Sequence, residues 1–197
     1  MYPPLFLCSQ SPRRRELLGG LNIPYDIVAV ETDETYPPSL QGGEIPLYIS
    51  RAKAQAYVEC YPHQQGLLIT ADTIVWLEGQ VMGKPRDEQE ACHMLHLLSG
   101  KTHQVYTGVT LTPMGELAAT HEAVSFYDTT DVTFRALTDT EIQEYVTRYR
   151  PYDKAGAYGI QEWIGYIGVT GINGSYFNVM GLPVERLYHY LSLYIDS

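Results

Sequence analysis

The stretch SQSPRRREL (9–17) sets two serines ahead of three consecutive arginines, Arg13, Arg14 and Arg15, in a chain whose formal net charge is -10. The apolar PLFLCS (4–9) just before it reads as a short buried strand. The arginines therefore fall in the first turn of a helix, with Ser11 as N-cap and Pro12 at the first helical position. Cations at that end oppose the helix dipole by ~0.3–1 kcal/mol each, and a bound anion would offset them. Backbone N–H groups, the Ser9 and Ser11 hydroxyls and guanidinium forks are all donors that suit phosphate. The plainer alternative is a solvated basic turn paired with neighbouring acids.

A second candidate is Asp72, which interrupts the strand-like run LLITADTIVWLEG. Burying a carboxylate is unfavourable unless it is paired or coordinated. In that position it suits a divalent metal or the activation of water, or else a hydrogen bond to a turn at the strand end. Thr73 beside it is a β-former or a ligand contact. The loop acids Glu31, Asp33 and Glu34 are either further metal ligands or a solvated acidic loop. Lysine is scarce: Lys53, Lys84, Lys101 and Lys154 each stand among Ala, Gly or Pro, a pattern that hints at specific placement. Lys53 and Lys84 can reach phosphates as point charges, and Gly83 and Pro85 fix the backbone of Lys84. In DKAGAYGIQ (153–161) the glycines permit close approach to a flat ligand, and the Gln161 carboxamide can read a base edge. A plain turn is the alternative there. His103 in SGKTH reads as a hydrogen-bonded structural histidine, since no GxSxG elbow accompanies it. No HExxH or CxxC spacing supports zinc, and neither GxGxxG nor a P-loop is present.

The totals narrow the ligand class. Thirteen Lys and Arg against 23 Asp and Glu make polymeric DNA or RNA a poor partner, because such binding rests on phosphate neutralisation. A small anion in a local basic pocket, or a metal ion, remains. No apolar run approaches the roughly 20 residues that span a bilayer, so no membrane partner is expected. The basic residues follow the first apolar run, the reverse of a secretory signal. Cys8, Cys60 and Cys92 are odd in number and far apart, which fits small buried thiols in a reducing cytoplasm.

The pattern of elements is α/β, without internal repeats or a linker between independent domains. YDIVAV (25–30) predicts a strand, and a helix from about Ile45 to Tyr61 shows Ile45, Ile49, Ala52 and Ala56 on one face. DEQEACHMLHLLSG predicts a helix stopped by Gly100; THQVYTGVTLTP predicts a strand, PMGE a turn, and ELAATHEAVSFYDTTDVTFRAL one or two more strands. Thr138 and Glu141 form a capping box for a helix to about Arg148. IGYIGVTGI and SYFNVMG read as short strands, and Pro183 opens a last helix with Leu187, Leu191 and Tyr194 towards the core.

Taken together, SQSPRR, ADTIV, GKP, LSGKTHQVYTGV, DKAGAYGIQ and GSYFNVMGLPV, in this order and spacing, resemble the Maf proteins. These are nucleoside triphosphate pyrophosphatases, historically named as septum-formation inhibitors. The resemblance runs from Leu5 to the final helix. It implies an elongated α/β fold, a mixed sheet with flanking helices forming two lobes around a central cleft, like the inosine triphosphate pyrophosphatases (Maf/Ham1-type). On this basis residues 1–197 are one domain whose lobes share a sheet, with a homodimer as the implied assembly. The implied reaction converts a nucleoside triphosphate to the monophosphate and pyrophosphate with Mg²⁺ or Mn²⁺, in the cytoplasm. The DKAGAYGIQ form resembles the branch that acts on dTTP and UTP. Mapped by motif, Asp72 is the proton acceptor, and Arg13, Thr73 and Gln161 match the specificity positions. Ser9, Ser11, Arg13, Arg14, Lys53, Lys84 and Lys154 fall at phosphate contacts, and Asp72 and Glu34 at the metal. The family's older name carries a second implication, a nucleotide-binding regulator of cell division. Cys8, Gln10, Glu162 and Trp163 depart from the usual pattern, and the last two are expected to reshape the base pocket.

Overall fold

The computed structural model describes residues 2–195. Among these, β1 (Leu5–Cys8), β2 (Asp26–Val28), β3 (Gly66–Leu77), β5 (Thr102–Met114), β6 (Val124–Phe134) and β7 (Val169–Asn173) form a mixed sheet in the order β2-β1-β3-β5-β6-β7, and β4 (Gln80–Met82) pairs with β3. β1 runs parallel to both β2 and β3, while β4 is antiparallel to β3 and β7 to β6. The helices are α1 (Pro12–Gly19), α2 (Glu44–Cys60), α3 (Glu88–Leu98), α4 (Asp139–Tyr149), α5 (Trp163–Gly168), α6 (Tyr176–Met180) and α7 (Val184–Leu191). None of them is long and apolar enough to cross a membrane. The chain divides into two compact units: residues up to 72, 107–128 and from 181 on, and residues 73–106 with 129–180.

In the first unit, α2 is pressed onto the sheet by specific contacts. A Cβ on Gly108 of β5 would sit 2.4 Å from the backbone of Pro46 and Leu47, so only glycine admits the helix there. The Ser50 carbonyl accepts from Thr70 Oγ1 of β3 at 2.7 Å, and the Ser50 hydroxyl pairs with Thr110 of β5 at 2.9 Å. These contacts fix the rotation of α2 about its axis. Its inward face carries Ile45, Pro46, Ile49, Ser50, Ala54 and Tyr57; Ala52 and Ala56, expected there, are only half-buried. The alanine-rich turn is where Lys53 lies, and small neighbours leave room for its side chain.

In the second unit, α4 begins at the capping box expected from TDTE. Glu141 N–H donates to the Thr138 hydroxyl at 3.3 Å, and Thr138 N–H donates to the Glu141 carboxylate at 2.8 Å. Arg135, which binds that carboxylate, is the main cause that holds its pKa down at about 2. α4 packs on α3 and carries Tyr145, fully buried, on its inner face. His103 of β5 is also fully buried, with Nε2 2.7 Å from the Tyr158 hydroxyl and its ring stacked on Phe134. It is a structural histidine, as its sequence context indicates.

Burial lowers the His103 pKa from 6.5 to about 4. The unfolded chain therefore binds more protons between those two values. Stability from this group is whole above pH 6.5 and is lost as the pH falls towards 4. The full loss is about 3 kcal/mol. Melting temperature should fall across this window, and His103→Gln, whose carboxamide can still pair with Tyr158, should flatten the slope. An unchanged slope would mean that other groups dominate acid unfolding.

Several elements differ from the sequence reading. SYFNVMG is the helix α6, because the Ser175 hydroxyl accepts from Asn178 N–H at 3.3 Å and starts a helical turn. WIGYIG is the helix α5, and only VTGIN is a strand. Gly165 permits this: a Cβ there would lie 1.9 Å from the Ile160 carbonyl. The strand β4 was not anticipated; it closes a hairpin with β3 through Glu78 and Gly79, both at positive φ. Of the one or two strands expected after PMGE, there is one, β6. Cys8 is buried as expected, whereas Cys60 is exposed.

Candidate active site

Asp72 and Thr73 are the two half-buried positions in the first ten residues of a strand otherwise buried on both faces. The α2 docking described above brings Lys53 to that place. Its Nζ lies 2.8 Å from Asp72 Oδ1 and 2.7 Å from Glu34 Oε1. The Lys53 and Asp72 side chains are 14% and 13% exposed and Glu34 is 51% exposed, so the Lys–Asp pair is the inner part and Glu34 the solvent side. Of the three loop acids, the structure distinguishes Glu34 from Asp33: Asp33 Oδ1 accepts from Thr35 N–H at 3.0 Å and forms a local turn.

The arginines diverge in role. Arg14 is half-buried, and its Nε donates to the Gly181 carbonyl at 2.8 Å. Burial lowers its pKa; Asp72 raises it, Arg13 lowers it and Glu34 raises it. Asp72, Arg13 and Glu34 thus all act on the Arg14 guanidinium. Arg15 instead turns back to brace the strand end, with Nη2 3.4 Å from the Ser9 carbonyl and its own carbonyl accepting from the Tyr25 hydroxyl at 2.8 Å. Ser9 Oγ accepts from Ser11 N–H at 3.2 Å and Ser11 Oγ from Arg14 N–H at 3.5 Å, the N-cap expected from the sequence. Each hydroxyl keeps its proton to donate. The helix-end N–H groups of Ser11 and Arg14 are already used, so positive charge here comes from the guanidinium groups.

The second unit gathers Lys84, Lys154 and Gln161. Gly156 N–H donates to the Gly83 carbonyl at 3.0 Å, which ties the GKP turn to the KAGA loop. Lys84 is exposed on that turn. Lys154 is 8% exposed, and its Nζ lies 2.7 Å from Asp153 Oδ1 and 3.1 Å from Glu162 Oε1. Gln161 Oε1 is buried without a hydrogen-bond partner. A buried carbonyl oxygen left unpaired is unfavourable, and a ligand N–H would satisfy it. Thr73 belongs to this unit, immediately after Asp72 in the chain.

Two carboxylates that share one ammonium are a hard, anionic oxygen donor set. Mg²⁺ is commonly held by one or two carboxylates plus substrate phosphates, and Glu34 with Asp72 fits that requirement. Among the described residues no cluster of three or more His, Cys, Asp or Glu has metal-binding geometry.

The family model described as Maf-like protein matches residues 4–194. The chain belongs to the Maf family. Among curated Maf relatives, the dTTP/UTP pyrophosphatase of Phocaeicola vulgatus is 58% identical over 93% of this chain and 92% of its own. That of Bacteroides thetaiotaomicron is 53% identical over the same shares, and that of Porphyromonas gingivalis 50% identical over 98% and 95%. Among solved structures, the Staphylococcus aureus Ham1 protein aligns over 66% of this chain and 71% of its own, at 11% identity and a TM-score of 0.47.

Two groups beside these candidate residues had no role in the sequence reading, the Gly181 carbonyl that accepts from Arg14 and the Tyr145 hydroxyl, while Glu162, expected only to reshape the base pocket, directs its carboxylate to Tyr145 and Lys154. The first is a backbone atom, which residue type does not disclose. For Tyr145 the signal was weak, a tyrosine at a buried position of α4. Burial first, then Glu162, push its pKa up, so its hydroxyl stays a donor.

Proposed function

We propose that this Maf protein is a nucleoside triphosphate pyrophosphatase that hydrolyses dTTP and UTP to the monophosphate and pyrophosphate, clearing unwanted pyrimidine nucleotides from the cytoplasm. The observation that carries the reading is the Lys53–Asp72–Glu34 cluster beside Arg14, in a chain 50–58% identical to enzymes of that name. Residues 1–197 work as one catalytic domain.

Asp72 accepts a proton from the water that attacks the α-phosphorus. Lys53 fixes the Asp72 carboxylate through Oδ1. As the bond between the α-phosphorus and its bridging oxygen breaks, charge grows on the pyrophosphate. Arg13, Arg14, Lys84 and Lys154 carry that charge, with Ser9 and Ser11 as hydroxyl donors. Glu34 and Asp72 would hold Mg²⁺ or Mn²⁺. When bound, such an ion neutralises phosphate charge and acidifies water. Thr73 and Gln161 contact the base. The unpaired Gln161 Oε1 suits the N3–H of thymine or uracil, and the carboxamide NH₂ a flanking carbonyl. Cytosine lacks that N–H and would leave the oxygen unsatisfied, which is how a polar site rejects a near-isostere.

Incubation with dTTP or UTP and Mg²⁺ should yield monophosphate and pyrophosphate in equal amounts, with dCTP and dGTP turned over more slowly. EDTA should stop the reaction and added Mg²⁺ or Mn²⁺ restore it. Orthophosphate as the product would refute the pyrophosphatase reading; binding without any product would favour a nucleotide-sensing regulator.

A further inference from the structure

We propose that Glu162 is a positioning residue whose two carboxylate oxygens set the Gln161 turn and the Lys154 ammonium in register with each other. Gly159 to Glu162 form a tight turn closed by Glu162 N–H donating to the Gly159 carbonyl at 3.0 Å. Gln161 is the third residue of that turn. One phenol holds both of its ends. The Tyr145 hydroxyl accepts from Gly159 N–H at 3.1 Å and donates its own proton to Glu162 Oε2. Tyr145 itself is fully buried on a capped helix, so the clamp has a rigid base.

The other oxygen, Glu162 Oε1, lies 3.1 Å from Lys154 Nζ. Glu162 is the N-cap residue of α5, yet its side chain makes no capping bond to that helix. Its carboxylate is committed to Tyr145 and Lys154 instead. The packing depends on this arrangement: a Cβ on Gly159 would lie 2.9 Å from Glu162 Cδ and 3.1 Å from Lys154 Cε. The glycine is what lets both side chains cross the turn. Lys154 is 9% and Glu162 20% exposed at the side chain, so their attraction is poorly screened by water.

A lysine on a flexible four-carbon stem is a poorly directed phosphate ligand unless something fixes it. Asp153, at 56% exposure, is the more solvated of the two partners of Lys154; Glu162 is the inner one. Coupling follows from this geometry. Whatever moves Glu162 displaces the Gln161 carboxamide and the Lys154 charge at once, so base recognition and phosphate contact change together. The inference rests on the reading that both residues touch the nucleotide.

The test is a double-mutant cycle on dTTP hydrolysis with Glu162→Gln and Lys154→Met. Glutamine retains an acceptor for Tyr145 and nearly the same volume, but drops the charge that holds Lys154. Glu162→Gln should lower kcat/KM by about tenfold alone and by less than about twofold in the Lys154→Met background. Equal losses in both backgrounds would overturn the proposal. Tyr145→Phe removes the clamp while keeping the ring, and should reduce the preference for dTTP over dCTP by about threefold or more. Unchanged preference would also overturn it, and a melting-temperature series identifies any variant that has lost its fold; Glu162→Asn then replaces it. If the wild type leaves dTTP and UTP intact, the functional reading fails. The same cycle, read as binding of α,β-imido-dTTP, still decides for or against Glu162, and absence of that binding would end both.

Discussion

Asp72→Asn is expected to lower turnover of dTTP by about 10³-fold while the protein stays folded and still binds nucleotide. The amide has the size and shape of the carboxylate, so packing in β3 is preserved. It cannot accept a proton from water, and it no longer carries the charge that Lys53 faces at 2.8 Å. Loss of that charge leaves Lys53 with Glu34 as its carboxylate partner, at 2.7 Å and on the solvent side. Melting temperature should therefore fall modestly, and binding of the triphosphate should be retained or strengthened, since a negative charge has been removed from beside the phosphates. Turnover within tenfold of wild type would remove Asp72 from its role as proton acceptor.

The second large effect is expected from Lys53→Met, which keeps most of the side-chain volume and deletes the ammonium between two carboxylates. Without it, the Asp72 carboxylate loses the bond at Oδ1 that fixes it, and Asp72 and Glu34 lose the cation they share. Turnover at neutral pH should drop by about 10²-fold, because the proton acceptor is no longer held in place. Turnover within about threefold of wild type would show that Lys53 acts only as packing.

What the sequence disclosed was mostly what a few adjacent residues decide among themselves. Ser11 with Pro12, and Thr138 with Glu141, mark helix starts because the cap bonds span only three residues. Asp72 was conspicuous because a charged residue within an apolar run has no local explanation. The direct Lys53–Asp72 bond was not legible, although each residue was picked out for its setting. That pairing depends on the rotation of α2, set by Gly108, Ser50, Thr70 and Thr110 on other strands. Around α6 the β-forming residues Tyr, Phe and Val outweighed the cap offered by Ser175, and the strand reading failed. The Glu78–Gly79 turn was hidden because glutamate rarely takes positive φ and does not advertise a hairpin. Glu162 stood out as a departure from the family pattern. Its partners Tyr145 and Lys154, 17 and 8 positions earlier, could be assigned only from the packed loop.

The bond from Arg14 to the Gly181 carbonyl joins positions 167 residues apart in the chain. A guanidinium that depends on so distant an acceptor cannot be set until the ribosome has delivered that acceptor. Nascent or proteolytically clipped chains that stop short of Gly181 would lack that acceptor for Arg14. Competence for hydrolysis would then arrive late in synthesis, and incomplete chains would not consume the cell's pyrimidine triphosphates.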